Sequence, residues 1–128
     1  HVALGRRFRA LKLWAVIRWY GGAGLRAHIR RGVSLAQEFA EWMRADDRFE
    51  IVAPHPFSTV CFRLRSSDDD NLELMERLTA SGELYFTHTK VADRVVLRMA
   101  IGGLFTERRH VEEAWRLIRD AAPHSSAA

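Results

Sequence analysis

The 128-residue chain is poor in cysteine, proline and lysine, with one, three and two residues of each kind. A single cysteine excludes an internal disulfide, and Cys61 lies in an alternating strand pattern that predicts a small buried side chain in a reducing compartment. No run of about 18 apolar residues is present, so the sequence predicts neither a membrane span nor a signal peptide. Because His1 stands in place of an initiator methionine, we expect a fragment of a longer soluble protein.

Metal-binding motifs are also missing, although the chain has six histidines. The histidines are scattered: His1, His28, His55, His88, His110 and His124. No two of them have the i,i+4 spacing of a helical metal site, and one cysteine cannot build a cysteine-based zinc site. The sequence therefore predicts no metal. A nucleophilic role for Ser58 or Cys61 has no supporting motif such as G-x-S-x-G.

The charge balance is basic, with 20 arginine and lysine residues against 16 acidic ones and a net charge of +4. Clustered cations suit a nucleic-acid partner because they neutralise phosphates. One such cluster contains Arg6, Arg7, Arg9 and Lys12. A stand-alone basic α+β module that binds RNA or DNA through the face from Arg6 to Arg31 is therefore one hypothesis. A small ligand-binding regulatory domain with a similar order of elements is another.

The segment 8–20 predicts a helix that is apolar on almost every side. Its apolar residues are Phe8, Ala10, Leu11, Leu13, Trp14, Ala15, Val16, Ile17, Trp19 and Tyr20. A surface helix shows one apolar stripe, so this helix must be covered from several directions. Either the rest of a small domain wraps it, or it is a linker helix that packs against a larger domain or a second subunit. Three glycines within 21–24 predict a break or kink at its end.

The remaining chain alternates between helical and strand periodicity. A helical stripe runs over 25–44, strands are expected at 49–53, 59–65, 84–89 and 94–101, and further helices begin near residues 71 and 106. We expect Leu72, Met75 and Leu78 to face inward and Thr106 to cap the last helix. This order predicts an α+β fold: a small antiparallel four-stranded sheet with helices packed on one face, preceded by the long apolar linker helix.

Several separated blocks of this sequence resemble one enzyme family. The segment 4–14, LGRRFRALKLW, closely resembles the L-G-R-R-F-R-S-L-K-x-W signature of pyridoxal-phosphate-dependent aromatic-L-amino-acid decarboxylases, the group II decarboxylases. Further blocks follow in the family's order at 28–30, 47–51, 60–64, 96–101 and 110–115. The resemblance covers about residues 4 to 122, and the order of the blocks favours it over the two other hypotheses.

The resemblance implies a lyase that converts an L-aromatic amino acid to its amine, as a cytoplasmic homodimer with pyridoxal 5′-phosphate as cofactor. It implies that residues 1–22 are the end of the large domain and the linker helix. Residues 23–122 would then be the C-terminal small domain of the fold-type I architecture, and 123–128 a flexible tail. Nucleic acid and membrane are not expected as partners. The identity of the aromatic substrate is left open.

The resemblance also assigns roles to two residues near the start of the chain. Arg7 matches an arginine that helps to position the mobile catalytic loop, and Gly5 matches a position that lines the substrate pocket. A plain loop glycine is an equal interpretation of Gly5, and solvated charge or a phosphate clamp are alternatives for Arg7. The family's Schiff-base lysine directly follows a histidine, and neither Lys12 nor Lys90 does. We therefore expect the cofactor to be bound mainly upstream and the fragment alone to be inactive.

Overall fold

A 36-residue helix, α1 (Arg9–Arg44), opens the part of the chain that the computed structural model describes, residues 8–123. The elements after it are β1 (Phe49–Ile51), β2 (Thr59–Leu64), α2 (Asp68–Ala80), β3 (Thr87–Val91), β4 (Arg94–Ala100) and α3 (Arg108–Ala121). Helix α1 is kinked at Gly21, where the backbone has φ 65° and ψ 170°. The predicted kink within 21–24 is therefore confirmed.

The four strands form one antiparallel sheet in the order β1-β2-β4-β3. Phe49 lies opposite Leu64, and Phe62 opposite Leu97, so these side chains share one face of the sheet. All three helices contribute to the core on that face, which confirms the predicted α+β arrangement. Phe39 of α1 and Trp115 of α3 pack edge to face against each other, with ring centroids 6.2 Å apart.

The predicted range of the third strand is wrong by three residues at its start. Residues 84–86 precede β3, which instead runs on to Val91 and pairs it with Arg94. The later end of β3 follows from the turn between β3 and β4, where Ala92 and Asp93 both have positive φ, 49° and 59°. Two such residues form the tight hairpin turn that matches the twist of the strands, which leaves Val91 free to pair.

Two helix predictions also require correction. Leu72 is only half-buried, whereas Asn71, Leu74 and Leu78 are the buried residues of α2. The N-cap of α3 is Glu107 rather than Thr106. The Glu107 carboxylate accepts the backbone N–H of His110, and the His110 ring accepts the backbone N–H of Glu107. These two bonds satisfy backbone donors that have no partner within the helix.

Helix α2 begins with the expected cluster of hydrogen-bond acceptors. The Ser67 hydroxyl accepts the N–H of Asp70 at 3.1 Å, and the Asp70 carboxylate accepts the N–H of Ser67 at 3.2 Å. Hydrogen bonding to the Asp70 carboxylate by the Ser67 side chain, and then by the Ser67 backbone N–H, lowers the pKa of Asp70. Within residues 8–123, no helix is both long and apolar enough to cross a membrane. The division of the chain at residue 22 stays a prediction, as does the tail, most of which lies outside the described residues.

Candidate functional site

The side chains of the first helical turns of α1 are not covered by the rest of the domain. We call residues 8–20 the linker arm, and every one of its residues is exposed. Trp19 keeps 83% of its surface accessible, Phe8 76% and Trp14 60%. Burial in the core begins only further along α1, at Leu35. The interpretation in which this small domain wraps the helix is therefore wrong.

Apolar side chains occupy every quadrant around the linker arm. With about 100° between successive residues, Phe8 and Trp19 fall in one quadrant, Leu13 and Tyr20 in the next, Ile17 and Trp14 in the third, and Leu11 and Ala15 in the fourth. Contiguous exposed apolar surface of this kind marks an interaction site in a soluble protein. The geometry favours the second interpretation of this segment, a linker that packs against a larger domain or a second subunit.

Gly5 and Arg7, the two site residues that the sequence indicated, lie outside the described residues. Arg7 directly precedes the first described residue of the linker arm, Phe8. The structure therefore does not test the roles of Gly5 and Arg7, which remain predictions.

Residues 8–123 do not by themselves form a pyridoxal phosphate site. Lys12 is exposed on the linker arm, and Lys90 is exposed on β3, so the two lysines lie on separate elements. His88 is exposed two residues before Lys90. A Schiff-base lysine needs an acidic partner for the pyridinium nitrogen and donors for the phosphate around it. Within residues 8–123, neither lysine is surrounded by an acidic partner and phosphate donors of this kind.

Two surface cavities formed by the described residues contain no lysine. One, of about 440 Å³, follows the outer edge of β1 and is lined by charged and apolar residues that include Arg44, Asp47, His55 and Arg65. In it, Arg44 donates to Nε2 of His55 at 2.7 Å and to Glu41 at 2.5 Å, so this cation is already paired. The other, of about 650 Å³, lies between α2 and β3 and is mainly apolar. Neither cavity therefore contains a residue that could hold the cofactor as a Schiff base.

An ion-pair network that sequence patterning did not reveal covers the face of the sheet opposite the helices. Arg63 points to this face, opposite to Phe62 and Leu64, and yet it is only 4% exposed. Its Nη2 donates to the Ser66 carbonyl at 2.6 Å, and its Nη1 lies 3.1 Å from Oδ1 of Asp68. Glu50 joins the network because its Oε1 lies 3.7 Å from Nε of Arg63, and the same oxygen accepts from Nη1 of Arg94 at 2.8 Å. The network is structural, because it links β1, β2, β4 and the start of α2.

The alternation of β2 placed Arg63 on the correct face but could not predict its burial. Its partners Glu50 and Asp68 come from other elements, and no periodic pattern shows such contacts. On the same face, Cys61 lies opposite Arg98 and is half-buried rather than buried. Within residues 8–123, no group of three histidine, cysteine or acidic side chains is arranged to hold a metal ion.

Comparison with known proteins relates this chain to one family. The family model described as the pyridoxal-dependent decarboxylase conserved domain matches residues 1–65. Tryptophan decarboxylase 1 of Oryza sativa subsp. japonica is 48% identical over 129 residues, which cover 92% of this chain and 25% of that protein. Phenylacetaldehyde synthase of Arabidopsis thaliana is 44% identical over 130 residues, covering 96% of this chain and 26% of that protein.

A solved structure shows the same relationship in three dimensions. The crystal structure of Oryza sativa TDC with PLP and tryptamine matches this chain with a TM-score of 0.86 and 46% identity, covering 94% of this chain and 28% of that one. The chain thus spans about a quarter of the length of the relatives that it matches. The three-helix, four-strand domain described above therefore has the fold of the corresponding part of fold-type I decarboxylases. The comparisons give no support to a nucleic-acid-binding module.

Proposed function

This chain belongs to the pyridoxal-dependent decarboxylase family, and we propose that the complete protein removes the carboxylate of an L-aromatic amino acid as CO2 to give the amine. The observation that carries the proposal is the 48% identity to a tryptophan decarboxylase across 92% of the chain. The solved relative with PLP and tryptamine supports the same reaction, because tryptamine is the amine that tryptophan yields on loss of CO2.

The cofactor of this reaction is pyridoxal phosphate, which the family depends on. Since Lys12 and Lys90 lack the surroundings of a Schiff-base lysine, the part of the protein beyond this chain supplies the lysine and the phosphate site. The share of the relatives' length that this chain leaves uncovered, about three quarters, is ample for such a domain. The 128-residue chain alone is then inactive.

The linker arm is the contact between this domain and the rest of the enzyme. Its apolar side chains point in every direction, so one surface is not enough to cover them. Two or more surfaces must therefore cover the linker arm. The large domain of the same chain supplies one of them, and a second copy of the protein supplies another. The complete enzyme is therefore a homodimer, and the proposed compartment is the cytoplasm.

The proposal also gives roles in the active site to Arg7 and Gly5, which precede the linker arm in the sequence. Arg7 holds the mobile catalytic loop through the planar donor fork of its guanidinium, which suits carboxylates and backbone carbonyls. Gly5 lines the pocket for the aromatic ring. Both roles rest on the match of residues 4–14 to the family signature.

A second candidate product is an aldehyde rather than an amine; this reaction needs O2 as oxidant and water, and releases CO2, ammonia and hydrogen peroxide. The observation that favours it is the 44% identity to a phenylacetaldehyde synthase over 96% of the chain, which is close to the identity with the decarboxylase. One experiment distinguishes amine formation from aldehyde formation. The complete protein is incubated with pyridoxal phosphate and with tryptophan, tyrosine, dopa or phenylalanine, and the products are identified by mass spectrometry. Amines support the first candidate and aldehydes the second, while recovery of unchanged amino acids contradicts both.

A further inference from the structure

Gly21 interrupts α1 with a backbone conformation that is almost exclusive to glycine. Its φ of 65° and ψ of 170° lie in the region that residues with a Cβ essentially never enter. Space is not the reason for glycine, because a Cβ built at this position would meet no atom within 4 Å. The backbone torsions alone therefore require a glycine here.

The kink separates two parts of α1 with different surroundings. After it, Leu35, Phe39 and Met43 anchor the helix in the core, and Gly32 lies so close to the sheet that a Cβ there would be 3.0 Å from the Ile101 carbonyl. Before the kink, every residue of the linker arm is exposed. The core therefore fixes the direction of the second part, and the torsions of Gly21 fix the direction of the arm relative to it.

We infer that Gly21 is a positioning residue for the proposed reaction: its kink sets the direction of the linker arm, which Arg7 directly precedes in the sequence. The inference rests on the proposed function through the role of Arg7. The thirteen residues between the kink and the start of the arm span about 20 Å, so a change of about 20° in the kink moves the arm's end by about 7 Å. Misplacement of about 1 Å can already lower a catalytic rate about 100-fold.

The neighbouring glycine provides a matched control. Gly22 has no positive φ, and a Cβ there would lie 3.3 Å from Nη1 of Arg26, the mobile end of a long side chain that can move aside. Gly22→Ala thus adds the same methyl group one residue later without opposing the kink. Gly21→Ala instead favours ordinary helical torsions at the kink and a straighter helix.

Three variants of the complete enzyme test the inference through kcat, KM and bound pyridoxal phosphate. We expect Gly21→Ala to lower kcat by about 100-fold while KM and cofactor content stay within about twofold, and Gly22→Ala to match the wild type. Gly21→Asn should lose about as much activity as Gly21→Ala, because asparagine enters positive φ mainly in the left-handed helical region and not at a ψ of 170°. If residue 21 instead had to be small, the kcat of Gly21→Asn would be lower than that of Gly21→Ala, and that order would overturn the inference.

A crystal structure of the Gly21→Ala enzyme provides the second measurement, and it does not depend on activity. The expected result is helical torsions at residue 21 and an arm turned away from its wild-type direction. An unchanged kink, or equal kcat in Gly21→Ala and Gly22→Ala, would overturn the inference. If the wild-type enzyme forms no amine, the proposed function fails instead, and the crystal structure still decides whether Gly21 directs the arm.

Discussion

The side-chain amide of Asn71 binds both backbone polar groups of Leu64. Its Oδ1 accepts the Leu64 N–H at 2.8 Å, and its Nδ2 donates to the Leu64 carbonyl at 3.4 Å and to the Ser67 carbonyl at 2.8 Å. Asn71 is fully buried, so water cannot replace these bonds. One polar side chain in the first turn of α2 thus satisfies the backbone at the end of β2 and fixes the connection between the two elements.

Replacing Asn71 by leucine should destabilise this domain by ~2–3 kcal/mol, because the variant keeps the side-chain volume but leaves buried backbone groups without partners. Amide hydrogen exchange in the complete protein measures the effect, and α2 and the end of β2 should exchange faster. Asp69→Asn, at an exposed position in the same turn, is the control and should change stability by less than ~0.5 kcal/mol. Equal exchange in the two variants would contradict the role of Asn71.

Acid should weaken the connection between α1 and the end of α3. Asp46 accepts from Arg48 at Nε (2.9 Å) and Nη2 (2.6 Å), and Arg48 reaches the Ala122 carbonyl at 3.3 Å. The side-chain hydrogen bond from Arg48 lowers the pKa of Asp46 below its usual value. A carboxyl whose folded pKa is lowered stabilises the fold above its unfolded pKa, about 3.9, and loses that contribution as pH falls through the folded value.

The stability difference between wild type and Asp46→Asn should therefore be complete at neutral pH, at ~1.5–3 kcal/mol, and shrink below about pH 4. Thermal unfolding of both proteins across this range measures it. Asp47→Asn, at the adjacent exposed position, is the matched control. A difference that stays constant to the lowest pH, or that equals the control's, would show that Asp46 does not carry the effect.

Periodicity predicted most of this fold because its strands and helices bury regular stripes. The alternation around Phe62 and Leu97 identified two strands and the face on which they pack. The end of β3 was missed because it depends on the torsions of Ala92 and Asp93, which leave no apolar pattern. Asn71 was missed because its partners are backbone atoms of a neighbouring element, and a polar residue at an inward position interrupts the stripe by which a helix is recognised.

The candidate site, meaning the linker arm with Gly5 and Arg7, was predicted from composition and from the family signature rather than from periodicity. The linker arm was identified from composition alone, since too many apolar residues surround its axis for one surface to cover. Gly5 and Arg7 were assigned only through the family signature, and the described residues begin just after them. The torsions of Gly21 could not be read from the sequence, because a cluster of three glycines predicts a kink without identifying which glycine forms it.

The isolated 128-residue chain should self-associate, because its linker arm has lost the surfaces that cover it in the complete enzyme. Sedimentation velocity at rising concentration should show species larger than a monomer. The double variant Trp14→Glu, Trp19→Glu should shift the chain toward the monomer, whereas Phe57→Glu should not, although Phe57 is 72% exposed. A wild-type chain that stays monomeric at high concentration would contradict this account of the arm.

In the complete enzyme, Arg7→Gln should lower turnover strongly while leaving cofactor content and thermal stability near wild type. The proposed partner of Arg7 is a mobile loop rather than the core, and loop closure limits many enzymes of this kind. Arg7→Lys should recover little activity, since a lysine lacks the planar donor fork. Wild-type turnover combined with easier unfolding in Arg7→Gln would assign Arg7 a structural role instead.

Gly5→Ser should shift substrate preference from indolic toward phenolic amino acids. A serine projects a hydroxymethyl group into the pocket, where a wide indole ring loses more room than a phenol. A change of one such group is typically worth ~1–3 kcal/mol of discrimination, roughly 10- to 200-fold. The ratio of kcat/KM for tryptophan and tyrosine in both proteins measures the shift. An unchanged ratio, or a shift toward tryptophan, would mean that Gly5 is only a loop glycine.

Release of CO2 from carboxyl-labelled L-tryptophan tests the central claim most directly. The complete protein, loaded with pyridoxal phosphate, should release labelled CO2 and form tryptamine in equal amounts, and both should stop when the cofactor is removed. Labelled L-tyrosine in a parallel reaction extends the test to a phenolic substrate. If the loaded protein releases no labelled CO2 from either amino acid, the assignment as an aromatic-amino-acid decarboxylase is contradicted.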